Sequence, residues 1–173
     1  MALYKGEDKI KDIYLGDVPI FKVYAGEEFC GFFTFSHENL VENSDLLIDS
    51  DSDGVPDGFT YQNATDISLT NGIAKFTATA QFGRLYQTLS GYSGQVLYSF
   101  ARFKSDSNNA RLSISDETVK IAHSGSGQFE FISHINTITN NTRQLEVYDY
   151  RTSDWTPIEV DYIGAYNVSD MIR

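Results

Sequence analysis

The sequence predicts an all-β protein: an antiparallel β-sandwich, or jelly roll, behind a short N-terminal β-meander. Three observations carry this expectation. Runs rich in Val, Ile, Leu, Tyr and Phe recur at short spacing from residue 72 onward. The breaks between them hold turn-forming Gly, Asn, Asp and Ser, as in Ser90-Gly91, Ser105–Asn109, Asn140-Asn141 and Ser153-Asp154. No stretch shows the periodicity of an amphipathic helix.

The meander comes first. Residues 3–30 divide into LYKGEDKIKD, IYLGDVPIFK and VYAGEEFC, so that Tyr4, Tyr14 and Tyr24 fall ten residues apart, as do Gly6, Gly16 and Gly26. An acid follows each glycine: Glu7, Asp17, Glu27. A two-residue hairpin loop of type II′ needs positive φ at its first central position, which glycine supplies. Gly6-Glu7, Gly16-Asp17 and Gly26-Glu27 each fit such a loop. The runs Asp8–Leu15 and Val18–Ala25 between them read as strands, and Pro19 lies just after a turn, where a strand tolerates it. A meander this small is marginal alone. It is expected to pack on the rest of the chain, on another copy or on another protein.

The aromatic run ending in FTFSHENL sets a boundary near Ser36–Asn39, with the meander over 1–35 and the sandwich over 36–173. Within the sandwich the predicted strands are Gly72–Ala80, Gly83–Leu89, Gln95–Lys104, Arg111–Ser115, Val119–His123, Gln128–Ile138, Gln144–Tyr150 and Ile158–Val168. In QVLYSFARF, Val96, Tyr98, Phe100 and Arg102 share one face, and Leu97, Ser99, Ala101 and Phe103 the other. Phe129, Phe131, Ser133, Ile135 and Thr137 share a face of the next long run. Ser124-Gly125-Ser126-Gly127 reads as a hairpin loop.

Composition narrows the function classes. With 41% hydrophobic and 14% aromatic residues among 173, the chain can bury a core, and only 3 prolines leave no long linker. MALYKGEDKI carries charges where a signal peptide needs an apolar core, and no run of about eighteen apolar residues suggests a membrane span. One cysteine, Cys30, permits no internal disulfide, in keeping with synthesis in a reducing cytoplasm. A net charge of −11, from 24 acids and 13 bases, opposes nucleic-acid binding. It equally opposes an anionic polymer, unless a local basic pocket or a bridging cation intervenes.

The sharpest chemical motif is DSDSDGVPDG, Asp49 to Gly58. Alternating carboxylates followed by glycine can wrap a hard cation: Asp49, Asp51 and Asp53 through side-chain oxygens, Val55 through its carbonyl, Asp57 directly or through water. Thr60 stands where an EF-hand places its bidentate Glu, and no helices flank the loop. Structural Ca2+ is one reading, and a solvated acidic turn is the other.

Two resemblances follow from quoted residues. NLVENSDL, GFTYQNA, RLYQTLSGYSGQVLYSFARFKSD, RLSIS, GQFEFISHI, QLEVYD and IEVDYIGAYNV occur in an order that resembles jelly-roll carbohydrate-binding modules of the galactose-binding-like type. The KIKD, IYLGD and VYAGE elements are similar to N-terminal repeats of tail and adsorption-apparatus proteins of phages that infect Gram-positive bacteria. Together these imply a non-enzymatic virion protein of a siphophage tail or host-adsorption apparatus, receptor-binding or structural in role. Other tail proteins, a host cell-surface glycan and sister copies are the implied partners. The protein would be made in the host cytoplasm and reside in the virion. The alternative is a calcium-stabilised carbohydrate-binding module.

A sugar site uses aromatic platforms with amides and carboxylates reading hydroxyls. Trp155, the only tryptophan, and Tyr92 and Tyr61 lie in or near turns and are the candidates, each with core packing as the competing role. Tyr86 and Tyr148 are expected to be packing residues. Arg84, Arg102 and Arg111 suit an anion but are dispersed in sequence. Catalysis draws no support: His37, His123 and His134 lie on separate elements without metal-ligand spacing, and no nucleophile motif occurs. Each histidine reads as an ordinary surface or strand residue.

Overall fold

The computed structural model describes residues 38–169 except Thr118, and before them the backbone of five short strands. Contacts divide the chain into two units, 1–38 and 39–173.

In the first unit, β1 (Tyr4–Lys5) pairs with β2 (Asp8–Lys9). A second ladder joins β3 (Ile13–Leu15), β4 (Val18–Ala25) and β5 (Glu28–Thr34), all antiparallel. Lys5 opposes Asp8, Leu15 opposes Val18 and Ala25 opposes Glu28. That register leaves the Gly-acid pair of each repeat between its strands. The type II′ geometry expected of those pairs, and continuation of a strand through residues 10–12, lie outside the described residues, as does His37.

The second unit is a β-sandwich of two five-stranded antiparallel sheets. Its strands are β6 (Thr60–Gln62), β7 (Ala64–Thr70), β8 (Ile73–Ala78), β9 (Gly83–Ser90), β10 (Val96–Ser105), β11 (Ala110–Ile114), β12 (Lys120–Ala122), β13 (Phe129–Thr137), β14 (Thr142–Asp149) and β15 (Ile158–Asn167). Sheet I has the order β13-β10-β15-β8-β7, and sheet II the order β12-β11-β14-β9-β6. Among the described residues no helix is long and apolar enough to cross a membrane.

Most sequence neighbours lie in opposite sheets. One exception is the β7–β8 hairpin, where Asn71 (φ 52°) and Gly72 (φ 73°) form the two-residue turn between Thr70 and Ile73. Positive φ at both positions is what Asn-Gly favours. Ser124–Gly127 is not the expected hairpin loop. It carries the chain from β12 in sheet II to β13 in sheet I. It is fixed by the Ser124 and Ser126 hydroxyls donating to Glu130 and by His123 Nε2 bonded to the Gln128 carbonyl at 3.0 Å.

The inner faces of the sheets form the core. Leu85, Leu112, Ile114, Leu145 and Val147 of sheet II meet Phe76, Leu97, Phe103, Val160 and Ile163 of sheet I, all fully buried. Each such side chain contributes about 1.5–3 kcal/mol by leaving water. Segment 39–46 enters beside β15, with the Leu40 amide donating to the Ala165 carbonyl at 2.9 Å and Leu46 reaching the core.

Sheet I also carries an apolar layer on its outer face. Phe100 is fully buried there, stacked on Phe131 (5.7 Å), Tyr162 (5.5 Å) and Tyr166 (5.6 Å). It occupies the space left by Gly164, where a Cβ would come within 2.5 Å of the Phe100 ring.

His123 and His134 are not surface residues. His123 packs at 5.2 Å from the Phe103 ring, and His134 points inward from β13 at 6% exposure.

Candidate functional site

The outer face of sheet II collects polar and aromatic residues in two rows across five strands. The first row runs Gln62, Arg84, Tyr148, Arg111 and Ala122, each opposite the next. The second runs Thr60, Tyr86, Glu146, Ser113 and Lys120. The rows share a face because side chains alternate along a strand, and the intervening Leu85, Leu112, Leu145 and Val147 point into the core.

The floor of this face is buried although it faces outward: Ser113 is 0% exposed, Tyr148 1% and Glu146 6%. Around it stand exposed rings, Phe82 at 42% and Tyr150 at 41%. The Phe82 ring stacks on Tyr148 at 5.9 Å and meets Tyr150 edge-on at 5.4 Å. Phe82 adopts φ 63°, a region that a bulky side chain enters only at a cost. Its amide is tied to the Asp149 carbonyl at 2.9 Å, so the backbone holds this exposed ring in place. Strain of this kind marks functional positions.

The polar groups are partly paired. Glu146 receives Arg84 Nη1 at 2.5 Å and the Ser113 hydroxyl at 2.8 Å. Arg84 Nε also donates to Gln62 Oε1 at 2.9 Å, and the guanidinium lies 4.9 Å from the Tyr86 ring centroid. Arg111 stacks its guanidinium 4.7 Å from the Tyr150 centroid. Arg111 Nε is buried without a hydrogen-bond partner, and the Tyr148 hydroxyl is buried beside Arg111 and Ser113. Burial raises the Tyr148 hydroxyl above its usual value, against the pull of the Arg111 charge, so it stays protonated.

Of the aromatic residues singled out from the sequence, Tyr61 and Tyr92 pack against the core. Tyr61 points inward from β6 against Phe76 at 5.5 Å, and burial drives its hydroxyl strongly upward. Tyr92 packs on the edge of the core. Trp155 is half-buried in the loop after Tyr150, its indole NH donating to the Arg151 carbonyl at 3.3 Å. Arg151 organises that loop: its Nε donates to the fully buried Asp149 at 3.0 Å and its Nη1 to the Asp154 carbonyl at 2.6 Å. Tyr86 and Tyr148 lie on the outer face of sheet II, where Tyr148 is packed to 1% exposure.

The acidic loop forms a separate cluster. Carboxylate oxygens of Asp49, Asp51 and Asp57 lie within 4.8 Å of one another. Asp53 is outside that group, and its carboxylate accepts the Val55 amide at 2.8 Å. Asn43 braces the loop, accepting the Ile48 amide at 3.0 Å and donating to the Asp57 carbonyl at 3.3 Å. The Asp53 amide lowers the Asp51 carboxyl, but the Asp53 and Asp49 charges and desolvation outweigh it, and the net direction is up. The Ser50 hydroxyl and amide hold Asp57 low. Three carboxylates at this spacing offer an oxygen donor set for a hard cation.

No family model matches the chain, and neither does any curated protein. Solved structures do. A CBM4 carbohydrate-binding module is 15% identical with a TM-score of 0.51, over 73% of this chain and 98% of its own. The second N-terminal cellulose-binding domain of β-1,4-glucanase C from Cellulomonas fimi is 6% identical with a TM-score of 0.50, over 76% of this chain and 95% of its own. At these identities the likeness is one of fold: the chain has the β-sandwich jelly roll of carbohydrate-binding modules.

Proposed function

We propose that residues 39–173 form a non-catalytic carbohydrate-binding module whose ligand lies across the outer face of sheet II. One observation carries this reading: exposed rings of Phe82 and Tyr150 border a polar floor of Arg111, Ser113, Glu146 and Tyr148 on the outer face of the sheet. Pyranose rings present apolar C–H faces that stack on aromatic rings and hydroxyls that pair with buried polar groups. The fold shared with carbohydrate-binding modules is consistent with it. Affinity electrophoresis against a panel of soluble polysaccharides tests it. At least one polymer retards the protein, and Phe82→Ala or Tyr150→Ala weakens the retardation about tenfold. Retardation by no polymer, or retardation indifferent to both substitutions, overturns the reading.

The virion setting rests on the repeat of residues 3–30, and the comparisons lend it no support. In that setting the first unit is a dock through its strand edges, and removing residues 1–30 abolishes assembly while leaving glycan retention intact. Structural calcium at Asp49, Asp51 and Asp57 belongs to the carbohydrate-binding reading, since the clustered oxygens repel one another without a cation. Millimolar Ca2+ then raises the melting temperature of the wild type and not of Asp51→Asn. Identical melting with calcium and with chelator removes the metal from the account.

A further inference from the structure

The charges of the polar face run against those of the chain. Across its two rows stand Arg84, Arg111 and Lys120 against one carboxylate, Glu146, whereas the chain as a whole carries −11. Glu146 is already engaged by Arg84. Arg111 has no acidic partner among the described residues, and its guanidinium Nε can only donate a hydrogen bond. The Tyr148 hydroxyl, directly opposite in the strand register, lies within the influence of Arg111 and Ser113 and brings no negative charge to the guanidinium. A guanidinium without an acidic partner among the described residues thus stands on an outward face beside an exposed ring.

We propose that the face selects an acidic saccharide, with the carboxylate of a uronic acid residue accepting from the Arg111 guanidinium while its ring lies on Tyr150. The inference rests on the carbohydrate-binding reading above and names its ligand class. A guanidinium matches a planar two-oxygen acceptor. In a uronate that group is bonded directly to the pyranose ring, so stacking on an aromatic fixes its reach. Arg111 lies 4.7 Å from the Tyr150 centroid, so one ligand residue can span ring and cation. Sulfate and phosphate hang on rotatable ester oxygens and gain less from that placement. The net negative charge of the chain repels polyanions in general, so uronate retention reports this local site.

The test uses the full chain and a polyuronate, such as polygalacturonate, beside the same polymer after reduction of its carboxyl groups. We expect the acidic form to bind at least about tenfold more tightly than the reduced form, equivalent to about 1.4 kcal/mol. Arg111→Gln collapses that ratio towards unity, and Arg111→Lys restores part of it. Circular dichroism establishes that each variant is folded, and Arg111→Lys supplies the reading should Arg111→Gln fail to fold. Equal binding of the acidic and reduced polymers overturns the inference and leaves carbohydrate binding standing. Equal binding of a sulfated glycan, a phosphodiester polymer and the polyuronate overturns the carboxylate assignment. Binding of no polymer, acidic or neutral, overturns the parent reading and this one with it.

Discussion

His134 makes stability depend on pH in a window that can be calculated. It lies on the inner face of β13 beside Asn136, whose amide nitrogen is 2.9 Å from His134 Nδ1. Its Nε2 is buried without a partner. Burial lowers its pKa from 6.5 to about 4. The folded imidazole is therefore neutral where the unfolded one already takes up a proton. Between those values the unfolded state binds more protons, so stability falls as pH falls through 6.5 and stops falling below about 4. The loss is about 1 kcal/mol near pH 5.5 and about 3 kcal/mol once pH is below about 4. His134→Gln keeps an acceptor for Asn136 and removes the titration. Urea unfolding at about pH 7 and about pH 4.5, followed by Trp155 fluorescence, compares the two proteins. The wild type should lose about 2–3 kcal/mol more than the variant over that interval. Equal losses would refute burial of a neutral His134.

Phe82→Asn replaces the strained ring by a residue that tolerates positive φ. Stability should stay within about 1 kcal/mol, because relieved strain offsets lost ring contact, while glycan affinity drops about tenfold in titration calorimetry. Arg151→Met leaves Asp149 buried and uncompensated. A cost of about 3–5 kcal/mol is expected, read as a melting temperature lower by about 10 °C. Gly164→Ala forces a methyl into the Phe100 ring and should cost about 1–3 kcal/mol by denaturant unfolding, with sugar binding unchanged.

The eight strands of the sandwich predicted from composition and alternation correspond to β8 to β15, most of which, as in IAKFTA and GRLYQTLS, alternate buried with more exposed residues. β6 and β7 escaped notice for the opposite reason. ATDISLT has a largely exposed burial pattern, and Asn63 and Asp66 take positive φ within and beside it, so neither alternation nor apolar content marks it. The acidic loop was legible because its residues are neighbours in the chain. The polar face was not. Arg84 pairs with Glu146 62 residues away, and Ser113 with the same carboxylate 33 residues away. Only the β9-β14-β11 adjacency, with strands crossing between sheets, brings them together. Tyr148 is as hidden as a core residue yet faces outward, a distinction that burial propensity in a sequence cannot draw. Tyr98 and Phe100 raise the same difficulty on sheet I, where the face opposite the core is apolar as well.

That second apolar layer gives the two sheets different mechanical characters. β10 and β15 are sealed on both sides, by the core and by the Phe100 stack seated on Gly164. Their amides should be the last to exchange for deuterium, opening only when the whole sandwich unfolds. β6, β7 and β12, at sheet edges, should exchange first. A glycan lying on sheet II would slow β9, β11 and β14 and leave β10 and β15 at their already limiting rate. Exchange mass spectrometry can therefore separate where the molecule derives its rigidity from where it meets its ligand.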